Sequence, residues 1–72
     1  MPLTFATVGE QNLIKKIGGK GETKRHLNNL GFIEGGTISI VSEMSGNLIV
    51  NVMESRIAIS KEMANKIVVD II

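Results

Sequence analysis

The sequence predicts a mainly β fold, a small five-stranded barrel carrying one or two short helices, and it predicts this from three observations. Of its 72 residues, 43% are apolar, and Ile, Val and Leu dominate that set. Side chains of this kind fit a pleated, half-buried surface. Eight glycines are spread along the chain where turns roughly every ten residues would need them. Segments such as Thr37-Ile38-Ser39-Ile40 alternate polar and apolar residues, the period of a strand with one buried face.

The elements follow in order. Leu3 to Val8 reads as an irregular or single-turn lead-in closed by Val8-Gly9-Glu10. Asn12 to Ile17 is the first strand; Leu13, Ile14 and Ile17 break strict alternation, so a bulge near Lys15 is predicted, with Lys15 and Lys16 facing water. Glu22 to Leu30 is a helix with an acidic residue in its first turn and Thr23, Leu27 and Leu30 on one face. Gly31 supplies a left-handed C-terminal cap, Phe32 folds back on the last turn, and Ile33 is expected to enter the core. After a turn at Glu34-Gly35-Gly36, a strand from Thr37 to as far as Glu43 leads into a turn at Ser45-Gly46-Asn47. Leu48, Val50 and Val52 line one face of the next strand, and Glu54-Ser55 leads into Arg56 to Ile59, completing a three-stranded meander. Ser60 is an N-cap for a helix of about two turns that packs Met63, Ala64 and Ile67 inward. The last strand puts Ile67, Val69 and Ile71 inside and Asp70 outside. Five short, bent strands can close on themselves, which would hide the edges an open sheet exposes.

Residues 1–72 are read as one domain, and a chain this short buries only about 60% of its unfolded surface, so stability on the order of 5 kcal/mol is expected. No cysteine is present, which suits a reducing compartment, and cytoplasm is the expected location. No apolar run approaches the ~20 residues of a membrane span, and no secretory leader pattern opens the chain. Eight Lys/Arg against seven Asp/Glu give a net charge of +1, too small for a strong hold on nucleic acid. Trp and Tyr are absent and Phe occurs twice, which disfavours single-strand stacking and polyproline recognition.

The stretch Gly18-Gly19-Lys20-Gly21 before the first helix looks at first like a phosphate cradle. It fails as a P-loop, because Gly21 follows Lys20 and Ile14 stands where the first glycine belongs. It fails as a dinucleotide loop too, with Lys24 at the third glycine position and no alternating βαβ pattern around it. A glycine hinge is the remaining reading. His26, the only histidine, has Glu22 one turn earlier, and two ligands fall short of the three or four a transition metal needs, so the pair is only a weak metal candidate. Met44, Met53 and Met63 read as packing residues. The serines have no histidine–carboxylate apparatus and the carboxylates are scattered, so no enzyme is expected. Lys20, Lys24 and Arg25 form a local basic patch, with Lys15, Lys16 and Arg56 as outlying members.

Taken together, GGKGETKRHLNNLGFIEGGTISIV (18–41), the opening Met1-Pro2-Leu3 with Val8-Gly9-Glu10, and the closing Arg56-Ile57-Ala58-Ile59 with Glu62-Met63-Ala64 resemble the FeoA family, small accessory proteins of bacterial ferrous-iron uptake. Glu34 departs from the proline often found there. The resemblance implies an SH3-like barrel, no required cofactor, and docking on the GTPase-bearing cytoplasmic portion of a FeoB-type transporter. It also implies an alternative role, a transition-metal-binding regulatory module like the C-terminal domain of metal-dependent repressors, with weak Fe²⁺ or Zn²⁺ binding. The expected docking residues are Lys24, Arg25, His26 and Arg56, and self-association remains open.

Overall fold

The computed structural model describes all 72 residues. A 3-10 turn, Leu3–Phe5, precedes strand β1 (Gln11–Ile17), helix α1 (Gly21–Leu30), strands β2 (Thr37–Met44), β3 (Asn47–Val52) and β4 (Ser55–Ser60), helix α2 (Lys61–Ala64) and strand β5 (Ile67–Ile71). The strands form one antiparallel sheet in the order β4-β3-β2-β1-β5. Its curved inner face holds a core of 14 apolar side chains to which every element contributes.

Local chemistry explains most boundaries. The pairing of β1 with β5 slips between Ile14 and Lys16, a bulge that leaves Lys15 and Lys16 both exposed and returns Ile17 to the core. A second irregularity, between Ile40 and Ser42, bends β2 against β3. Helix α1 ends as its glycine requires: Gly31 sits at φ 108°, its N–H donates to the Asn28 carbonyl, and the Phe32 N–H donates to Leu27 at 3.0 Å, which is the Schellman pairing. Ser45-Gly46 and Met53-Glu54 are two-residue hairpin turns with positive φ throughout, the hand that matches strand twist. Asn12 is the one buried polar residue, and its amide nitrogen donates to the Glu10 carbonyl at 3.2 Å.

Ser60 caps α2, its Oγ accepting the Met63 N–H at 3.2 Å. Ser60→Ala is therefore expected to destabilise the fold by about 1 kcal/mol, read as a lower urea midpoint at unchanged slope.

Four expectations give way. Helix α2 is one turn rather than two, because Ile67, though fully buried, already belongs to β5. Ile33 is 42% exposed: Phe32 fills the space beneath α1, and the Ile33 carbonyl accepts the Gly36 N–H to open the turn, which points its side chain out. Ile71 is 64% exposed despite its inward parity, since it lies at the strand end opposite Asn12. The sheet also does not close by hydrogen bonds between β4 and β5. One edge is covered in another way: the Met1 amino group donates to the Val69 carbonyl at 2.9 Å, and the Val69 N–H donates back to Met1.

Candidate docking surface

The glycine loop ahead of α1 is occupied with geometry. The Gly18 N–H donates to the Lys66 carbonyl, and a Cβ on Gly18 would come within 3.2 Å of that same oxygen. Gly19 at φ 92° lies against Thr23, whose methyl a Cβ would meet at 3.2 Å. Gly21 takes φ 43° in open space, and the Thr23 N–H donates to the Lys20 carbonyl to start the helix. These glycines turn the chain from strand into helix where a side chain would clash or strain the backbone.

On the helix that follows, Leu27 is buried, Thr23 and Leu30 are half-buried, and Glu22, Lys24, Arg25 and His26 are exposed. Lys24 pairs loosely with Glu34 at 3.9 Å across the cap, both side chains about half exposed, and such pairs contribute little to stability. Arg25 has no acidic partner. Lys15, on β1, pairs with Asp70 of β5 at 3.8 Å. Glu22 and His26 lie one turn apart, and no three His, Asp or Glu side chains come together anywhere in the chain. Arg56 stands apart on the edge strand β4, in register with Asn51 of β3, with β3 and β2 between it and β1.

An apolar component joins the basic one. Gly31 packs on the Met53 side chain, the two 3.5 Å apart if a Cβ is placed on the glycine, so the β3–β4 turn lies against the C-terminal end of α1. Met53, packed on Gly31, is 62% exposed, and Ile33, two residues after Gly31, is 42% exposed. The molecule's open cleft, about 370 Å³, is lined by Gln11, Thr37, Ser39, Asn51, Val52, Met53 and Glu54; it shares Met53 with this surface and includes none of the cations. Sequence reasoning found the cations; the neighbouring Met53 could be found only from the fold, because 22 positions separate it from Gly31. No helix is long and apolar enough to cross a membrane.

Comparison with known proteins places this geometry in a family. A Methanocaldococcus jannaschii protein described as a candidate Fe(2+) transport protein A is 32% identical over 69 residues, which cover 96% of this chain and 84% of that protein. A crystal structure of an iron uptake regulatory protein, FeoA, superposes with a TM-score of 0.88 at 28% identity, covering 97% of this chain and 93% of the other. The zinc complex of Stenotrophomonas maltophilia FeoA, described as a prokaryotic SH3 domain protein, has a TM-score of 0.86 at 24% identity over 97% of this chain and 89% of that one. That likeness carries the fold, an SH3-like barrel. The FeoA domain family model matches residues 1–71, and the chain therefore belongs to the FeoA family.

Proposed function

We propose that this chain is a non-enzymatic accessory protein of ferrous-iron uptake that acts in the cytoplasm by docking on the GTPase-bearing cytoplasmic portion of a FeoB-type transporter. Family membership and the relatives' naming as iron transport proteins support the iron-uptake role. The observation that carries the docking reading is the exposure of Lys24, Arg25 and His26 along α1, with Ile33 and Met53 exposed at its C-terminal end. Apolar contacts rimmed by charge are the anatomy of a protein interface. The cations would steer the encounter, and the apolar pair would hold it.

The test titrates the transporter's soluble cytoplasmic portion into the isotope-labelled protein. Amide shifts are expected along α1 and at Gly31 to Ile33 and Met53. The double substitution Lys24→Glu with Arg25→Glu should weaken binding at least about tenfold, a loss of roughly 1.4 kcal/mol or more, and the wild-type affinity should fall with added salt. Absence of association with both that portion and the detergent-solubilised transporter would overturn the reading.

A further inference from the structure

The two edges of the sheet are not alike. The middle of the β5 edge is filled by the chain's own start, through the paired Met1 and Val69 bonds and a bridge between Pro2 and Val68. Strand β4 hydrogen-bonds β3 on one side and no strand on the other. Val52 and Ser55 flank a two-residue turn, and such a flanking pair exchanges both its backbone bonds. Alternation then aims the N–H and C=O of Ser55, Ile57 and Ile59 at β3, and those of Arg56, Ala58 and Ser60 away from the sheet. The Ser60 carbonyl serves α2 as its N-cap. Arg56 and Ala58 are left with both backbone groups unbonded, on residues whose side chains are exposed.

Little on β4 guards this edge. It has no proline, glycine or bulge, its register with β3 is regular from Asn47–Ser60 to Val52–Ser55, and Arg56 is its single charge. Protected edges in folded proteins usually carry such devices. We propose that β4 is a pairing edge for a second copy of this chain, joined antiparallel about a twofold axis through Ile57. In that register Arg56 of each copy lies opposite Ala58 of the other, so four hydrogen bonds satisfy every free group on those residues. No like charges face each other, and the half-buried Ile57 meets its own counterpart on the inner side. Head-to-tail addition of β4 to β5 is blocked by the N-terminal segment, so the assembly closes as a dimer instead of growing.

Sedimentation velocity from micromolar to millimolar concentration should show a reversible monomer–dimer equilibrium. Concentration-dependent protection of the Arg56 and Ala58 amides from hydrogen exchange should accompany it. Ala58→Pro removes the outward N–H and leaves the β3 ladder intact, a position where an edge strand tolerates proline; it should raise the dimer dissociation constant at least about tenfold. Ala58→Lys, opposite Arg56 of the second copy, should weaken the dimer likewise, and Ala58→Glu should strengthen it. Circular dichroism establishes that each variant is folded, and Ala58→Lys decides the matter should the proline variant unfold. A single-chain mass at every concentration would overturn the proposal, as would unchanged association in both weakening variants. Protection of these amides in a monomer, seen only on adding the transporter's cytoplasmic portion, would overturn it too and assign the edge to a different protein.

Discussion

Phe32→Ala is expected to remove most of the protein's stability at 25 °C. Phe32 is the largest fully buried side chain, and the only other aromatic ring, that of Phe5, is 74% exposed, so one residue supplies the whole aromatic content of the core. Truncating a buried phenylalanine costs about 3–5 kcal/mol. The entire stability of a chain this size is on the order of 5 kcal/mol. The loss is one of packing, because the backbone bond from the Phe32 N–H to Leu27 survives the substitution. With a urea slope of about 1 kcal/mol per molar for so small a protein, the midpoint should fall by about 3 M or more. A midpoint near wild type would show that the core repacks around the gap and that the ring is dispensable.

Gly31→Val should be the next most damaging change, at about 2 kcal/mol. The φ of 108° lies in the left-handed half of backbone space, where a β-branched residue is strained. Its added methyls would also press on Met53, already 3.5 Å from the position of a Cβ. Gly31→Asn separates the two causes, since asparagine tolerates left-handed backbone and caps helices. Urea titrations should order the stabilities as glycine, then asparagine, then valine. Equal midpoints for the valine and asparagine variants would contradict the backbone account. Because the exposed Met53 packs on this residue, the valine variant should also bind the proposed partner more weakly than its residual folded fraction explains.

Much of this could be read from residues whose local chemistry has one outcome. Gly31 before Phe32, Ser60 three residues before Met63, and the broken alternation at Lys15 each specify a backbone event that tertiary packing then accepts. The misreadings share a different cause. Ile33 and Ile71 have the hydrophobicity and parity of core residues, yet whether such a side chain is covered depends on what lies over it in space. The turn at Met53-Glu54 was equally hidden, because two consecutive left-handed residues without a glycine leave no compositional mark. For the candidate site, Lys24, Arg25 and His26 were legible as exposed because the helical period gives Thr23, Leu27 and Leu30 to the inner face. The placement of Arg56 and Met53 relative to them depended on the order of strands, which no short-range pattern encodes.

The strand order has a temporal side as well. Strands β2, β3 and β4 pair through tight turns, while the partner of Asn12 is Ile71 and that of Met1 is Val69, near the opposite end of the chain. A growing chain can therefore assemble its central meander early and lay β1 on β2, but β1 gains its second neighbour only once residues 67–71 have been made. Closing so long a loop puts folding in the millisecond-to-second class of SH3-like barrels. Until residues 67–71 emerge from the ribosome, Ile14 and Ile17 have no strand beside them on that flank, and the growing polypeptide is exposed to chaperones, proteases and its own neighbours.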